Sequence, residues 1–298
     1  MTHVLVVGEP LVELMEEQPG AVRSGFGGDA LNVAVYLSRE APELRVSLGS
    51  AVGDDPPSGE LVQLCRDEGV NVSFIRQVPG SGIGRYSVIV DGAGERSFRY
   101  RRSDSPFRAL LDTADHPLPD PATVDAVWFS GIGLAVLHEA GRERLLDYAD
   151  SIHLATGTVV YDPNHRPALW ARPEEARAWT ARAVGSADIV LASVDDGRHL
   201  TDAATARAVA EAFRAWGPDE VVITDGSAPC VVAHSTGVAE VPANETPIVD
   251  TTAAGDAFDA GYIAARLRGE DPERSARNGH RLGSAVVRHR GALIPRSS

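Results

Sequence analysis

Short, wholly apolar runs punctuate this chain, spaced so that a helix fits between them. That alternation restricts the possible folds more than any other feature. The runs are Val4–Val7, Val46–Leu48, Ala126–Phe129, Val159–Tyr161, Ile189–Leu191 and Val221–Thr224. Strands buried on both faces of a parallel sheet read this way, without polar residues at every second position. Helical patterns occupy Ala30–Arg39, Gly59–Glu68, Gly141–Leu154, Glu174–Val184 and Ala204–Trp216, and Asp271–Arg290 reads as one more helix before Gly291. The order predicts an α/β fold, a doubly wound, mostly parallel sheet with helices on both faces. Residues 1–298 read as a single domain. Leu11–Glu17 and Gly84–Arg102 break the alternation and read as exposed strands, the second a hairpin around Asp91-Gly92-Ala93-Gly94. Together they predict a small β-sheet lid over a cleft, formed by residues 10–24 and 80–104. The Pro-rich stretch Pro106–Pro121 reads as a surface loop returning from it.

At 43% hydrophobic residues the chain can bury a full core. Its formal charge of −14 disfavours nucleic acid and anionic membrane as partners. No apolar run approaches membrane-spanning length, and Met1-Thr2-His3 leads straight into the first strand, so neither a leader nor a membrane segment is expected. Cys65 and Cys230 form no metal-ligand pair and read as buried small hydrophobes in a reducing cytoplasm. There is no lysine, which excludes a Walker-A lysine, a protein-kinase lysine and a Schiff-base aldolase. An anionic ligand must be met by backbone amides, arginine and metal.

Asp250-Thr251-Thr252-Ala253-Ala254-Gly255-Asp256-Ala257-Phe258 offers the first of these. Phe258, Gly261, Tyr262 and Ala265 recur with helical spacing, so a helix starts near Gly255. The free N–H groups of a helix start bind phosphate, and Ala253, Ala254 and Gly255 let it approach closely. Asp256 then stands where a general base for a hydroxyl nucleophile belongs. An anion hole joined to a base is the equipment of phosphoryl transfer. Taken alone, the run also fits a helix start that merely packs tightly.

Other constellations gather around the same edge. Gly27-Gly28-Asp29-Ala30-Leu31-Asn32 puts Asp29 and Asn32 three apart on one helix face behind a double glycine. That pair suits a polyhydroxy ligand, though a glycine turn with an Asp cap fits equally. On the lid, period two places Phe98, Tyr100 and Arg102 on one face and Arg99 and Arg101 on the other. Tyr100 then offers a hydroxyl and Arg102 a fork for a carboxylate, with Tyr86 on the partner strand; the alternative is a solvated basic strand edge. Asp162-Pro163-Asn164-His165-Arg166 follows a strand, where Asn164 and Arg166 reach phosphate or substrate, and His165 is given no role. Ser193-Val194-Asp195-Asp196 and Thr224-Asp225-Gly226-Ser227-Ala228-Pro229 also follow strands, the latter as a nucleotide-lining loop or a simple turn.

The run Asp250–Asp256 resembles the C-terminal signature of the ribokinase-like sugar kinases, Asp-Thr-x-Gly-Ala-Gly-Asp, with Ala253 replacing the first glycine. With Ala there, the backbone is expected to avoid positive φ. Gly27–Asn32 resembles the N-terminal signature of the same family. The similarity runs nearly end to end, through Gly94–Arg102, Asp162–Trp170, Asp250–Leu267 and Arg290–Arg296. It is greatest to the branch that transfers the γ-phosphoryl group of ATP to O6 of 2-dehydro-3-deoxy-D-gluconate. The resemblance implies Asp256 as base, and a sugar acid held by Gly28, Asp29, Asn32, Tyr86, Tyr100, Arg102 and Arg166. It implies a nucleotide held by Asn164, Ser193, Thr224, Asp225, Gly226, Ser227, Ala228 and Pro229 together with Ala253, Ala254 and Gly255. ATP with Mg²⁺, a monovalent cation and a homo-oligomer follow from the same resemblance, while the metal ligands stay unassigned. Ser193 and Asp196 stand where many members carry Asn-x-x-Glu, and Ser103-Asp104-Ser105-Pro106 stands where Ala-rich sequence is usual, which leaves sugar identity open. A fructokinase or other sugar kinase is the alternative within the family, and a non-catalytic sugar-acid sensor the alternative outside it. A Rossmann oxidoreductase is disfavoured because no Gly-x-Gly-x-x-Gly follows the first strand.

Overall fold

The computed structural model describes residues 1–18, 21–90, 96–115 and 117–296, without the side chains of 15–18, 21–23, 88–90 and 96–100. The strands are β1 (His3–Val7), β2 (Leu11–Gln18), β3 (Ala21–Gly27), β4 (Arg45–Val52), β5 (Ile75–Gln77), β6 (Arg85–Val90) and β7 (Arg96–Arg101). After them come β8 (Ala126–Ser130), β9 (Thr158–Asp162), β10 (Ile189–Ser193), β11 (Glu220–Asp225), β12 (Ala228–His234) and β13 (Gly237–Val241). The helices are α1 (Asp29–Glu40), α2 (Pro56–Asp67), α3 (Gly131–Val136), α4 (Glu139–Leu154), α5 (Pro173–Gly185), α6 (Val194–Leu200), α7 (Ala206–Arg214), α8 (Ala254–Leu267) and α9 (Pro272–Val286).

The main sheet has nine strands in the order β13-β12-β11-β10-β9-β8-β1-β4-β5. Every pair from β5 to β11 is parallel, and β12 and β13 add an antiparallel edge. The continuous apolar runs are explained by burial on both faces. Leu5 and Val7 of β1, Val127 and Phe129 of β8, and Val190 and Ala192 of β10 face a core shared with α3 to α7. Their neighbours Val4, Val6, Ala126, Trp128, Ile189 and Leu191 face a second core under α1, α2, α8 and α9. The chain leaves β1 toward β4 on one side and returns to β8 on the other, so the strand order reverses at β1. Open α/β sheets bind ligands beyond the carboxyl ends of their strands at such a point.

A second, four-stranded sheet runs β3-β2-β6-β7. It is two antiparallel hairpins joined through the parallel pair β2–β6. The turn at Asp91–Gly94 lies outside the described residues. The expectation that these strands are exposed is overturned at their root. Leu11, Val12, Glu13, Tyr86 and Arg102 are buried, because the root of the small sheet is wedged against the cleft. Cys65 and Cys230 are both fully buried. Among the described residues no helix is long and apolar enough to cross a membrane.

Phe129 is completely buried beneath α3. Phe129→Ala is expected to lower unfolding free energy by about 3–5 kcal/mol, read as a fall in urea midpoint at unchanged m-value.

Candidate active site

The carboxyl ends of β1, β8, β9, β10 and β11 deliver Glu9, Ser130, Asp162, Ser193 and Thr224 to one edge of the main sheet. The start of α8 faces them across a cleft of about 740 Å³. Side chains cap the starts of α2, α3, α6, α7 and α9, through Asp55, Ser130, Ser193, Thr205 and Asp271. No side chain caps α8. A Cβ added at Gly255 would meet nothing within 4 Å, so the first turn opens onto free space. The expectation for Ala253 is overturned: its φ is +60° and ψ +15°, the left-handed region. Tight closure of the Thr251–Ala254 turn, where the Ala254 N–H donates to the Thr251 carbonyl at 3.2 Å, outweighs the Cβ clash.

Asp256, in the first turn of α8, accepts a hydrogen bond at 2.7 Å from Asn32 Nδ2 on α1. Burial pushes its carboxyl up to about 6, and the charge of Asp29 adds to the rise, while the Asn32 bond and Arg166 oppose it. Asp259, one turn further along α8, accepts from Trp128 Nε1 at 3.0 Å. Burial holds Asp162 and Asp259 well above the usual carboxylate range, and for Asp162 the neighbouring Asp259 is the next cause. Gly28 opens α1 with φ +106°, and a Cβ there would stand 2.6 Å from the Glu9 carbonyl oxygen, so only glycine fits. At the far end of the cleft Arg102 Nη1 lies 3.4 Å from Glu9 Oε2, both side chains buried.

The structure brings most of the expected residues together. Gly28, Asp29, Asn32, Tyr86, Arg102, Asn164, Arg166, Ser193, Thr224, Ala253, Ala254, Gly255 and Asp256 all line the cleft. Several are already engaged. Asp29 accepts from Ser130 Oγ, from Asn164 Nδ2 at 3.2 Å and from the Ala30 N–H, so Asn164 spends a donor on the protein. Ser193 donates to Asp196 at 2.7 Å while capping α6, and Asp196 also accepts from the His165 N–H. Arg166 is exposed at the mouth. Asp225, Gly226, Ser227, Ala228 and Pro229 do not line the cleft. Asp225 ends β11, Gly226 and Ser227 make the turn, and Ala228 and Pro229 open the antiparallel strand β12, all five exposed. The side chain of Tyr100 lies outside the described residues, although its backbone pairs with Tyr86. Among the described residues no three His, Cys, Asp or Glu side chains form a ready metal cluster.

Glu9, Ser130, Trp128 and Asp259 escape the sequence reading. Two carried a usable signal: Glu9 follows the first apolar run directly, at the ligand-binding sheet edge, and Asp259 shares a helix face with Asp256 at i+3.

Ala253→Gly should stabilise the fold by about 1 kcal/mol through relief of the left-handed alanine, seen as a raised Tm. Asp256 makes a second stability prediction. Its folded value is raised above the ordinary 3.8, so the cost of charging it is fully present above about 6 and gone below about 3.8. Asp256→Asn should therefore be more thermostable than the parent near pH 8, with the gap closing toward about pH 4.

A sequence model of the pfkB family carbohydrate kinases matches residues 1–298. The chain is 37% identical over 302 residues to the 2-dehydro-3-deoxygluconokinase of Dickeya dadantii (strain 3937), covering 98% of this chain and 97% of that protein. It is 35% identical to the 2-dehydro-3-deoxygluconokinase of Escherichia coli (strain K12), covering 99% and 98%. Among solved structures, aminoimidazole riboside kinase from Salmonella enterica, complexed with aminoimidazole riboside and an ATP analogue, matches with TM-score 0.83 and 25% identity over 97% of this chain and 94% of that one. With a ribokinase-like sheet, a cleft at its carboxyl edge and a family match over the whole length, the chain belongs to the pfkB family of carbohydrate kinases and is a phosphotransferase.

Proposed function

We propose that this kinase transfers the γ-phosphoryl group of ATP to O6 of 2-dehydro-3-deoxy-D-gluconate, with Asp256 as general base. The observation that carries the reading is the joining of an uncapped, open helix start to a half-buried carboxyl oriented by Asn32. The names of the two bacterial relatives support the sugar acid, and the ATP analogue bound to the Salmonella kinase supports the donor.

In this mechanism the amides of Gly255 and Asp256 receive the transferring phosphoryl group, and the open space before Gly255 admits it. Asp256 aligns the O6 hydroxyl and takes its proton. A loose transition state needs little prior deprotonation, so alignment by Asn32 matters as much as basicity. Among the described residues the cleft presents seven carboxyl groups against two guanidiniums, so a triphosphate needs accompanying cations there. Mg²⁺ fits this donor set, with Asp162 and Asp259 to hold its water shell, and would offset phosphate charge when bound. The small sheet acts as a lid that excludes water once the sugar is seated. Arg102, buried at the sugar end, and Arg166 at the mouth pair with the acid's carboxylate. A neutral hexose has no use for either in so acidic a cleft, which ranks fructokinase second.

In a coupled ADP assay the keto-acid is expected to turn over with a kcat/KM well above that of fructose or ribose; preference for fructose would overturn the reading. Arg102→Ala should raise KM for the acid by on the order of 30-fold or more, the loss of a buried ionic contact worth about 2–5 kcal/mol. Asp256→Asn should cut kcat by at least about 10²-fold with nucleotide affinity kept. The parent enzyme's kcat/KM should fall as pH drops through about 6, where Asp256 takes up its proton.

A further inference from the structure

Glu9 has no part in the mechanism above, yet it is the least accessible charged group at the sugar end, its side chain 1% exposed. Two backbones clamp it. A Cβ at Gly84 would stand 2.7 Å from Oε1, and one at Gly28 would stand 2.6 Å from the Glu9 carbonyl oxygen. The charged groups facing it are Arg102, Arg108 and Asp29, with the Ser105 hydroxyl alongside. Arg102 is the strongest of the attractive partners, and burial outweighs it, holding the Glu9 carboxyl above its ordinary value. The Arg102–Glu9 separation of 3.4 Å is longer than the roughly 2.7–2.9 Å of a fully formed charged hydrogen bond. Glu9 thus neutralises Arg102 without gripping it.

An incoming sugar-acid carboxylate meets a guanidinium that already has a counter-ion. Two carboxylates on one buried cation repel in a low-dielectric site, and one of them is driven to protonate. The substrate's α-keto carboxyl is the stronger acid and keeps its charge. We infer that Glu9 is a positioning residue for Arg102, holding it in the cleft as a neutral pair, and that the sugar acid displaces this pairing and binds together with one proton taken by Glu9 from solvent. The inference rests on the reading of Arg102 as the carboxylate receptor. It also gives a basis for selectivity, since a neutral sugar leaves the Glu9–Arg102 pair undisturbed.

Calorimetric titration of the full-length enzyme with 2-dehydro-3-deoxy-D-gluconate, in buffers of different ionisation enthalpy near neutral pH, counts the protons taken up. An Asp256→Asn background removes the titrating carboxyl proposed to meet the O6 hydroxyl, and the Glu9→Gln comparison separates Glu9 from Asp162 and Asp259. In that background uptake is expected, and Glu9→Gln should abolish it, tighten the acid roughly tenfold and flatten the pH dependence of its affinity. Glu9→Asp should restore the uptake, and fructose should bind without it. Absence of uptake in the background enzyme, or equal uptake with and without Glu9, overturns the inference; the first outcome decides it even if Glu9→Gln fails to fold. If Arg102→Ala binds the acid as tightly as its parent, the carboxylate-receptor reading fails instead.

Discussion

The hydrogen bond from Asn32 to Asp256 joins residues 224 positions apart, and the chemistry of the cleft depends on it. It exists because α1 and α8 pack together over the same face of β1 and β8. Their shared core includes Ala30, Leu31, Ala34, Ala257, Ala260 and Tyr262 with Val4, Val6 and Trp128. Small residues at the crossing let the two helix starts converge, and the convergence places the Asn32 donor against the Asp256 carboxyl. The same packing shields Asp256 in part from water, so desolvation raises its proton affinity while Asn32 keeps it aimed.

The cleft carries more negative charge than positive, although its proposed ligands are anions. Fixed positive charge is scarce because the chain has no lysine. Backbone amides at the start of α8, two arginines and cations brought by the nucleotide divide the work.

Much of this was legible in the sequence. The parallel core strands announced themselves as unbroken apolar runs, since burial on both faces leaves no place for polar residues. The helix start near Gly255 was legible because Phe258, Gly261, Tyr262 and Ala265 recur at helical spacing behind a run of small residues. Three features were not. The antiparallel edge β12–β13 is half exposed, so its pattern carries neither signature, and Asp225–Pro229 is where the chain doubles back into it. The left-handed backbone at Ala253 contradicts the intrinsic preference of alanine, and only the closure of the surrounding turn imposes it. Glu9 and Trp128 act through partners far away in sequence, Arg102 and Asp259, and such pairings are set by strand order rather than local pattern.

The segment after α9 has a consequence for the order in which the molecule is built. Tyr36 of α1 donates to the Ala292 carbonyl at 2.6 Å, the Ile294 N–H donates back to its hydroxyl, and Asp250 accepts from the Gly291 N–H. The helix that carries Asn32 therefore stays without these partners until residues near 290 have left the ribosome. Vectorial synthesis at about 5–20 residues per second delivers them more than ten seconds after α1. A nascent chain of this kinase therefore holds the sheet's first strands long before α1 gains its last anchors.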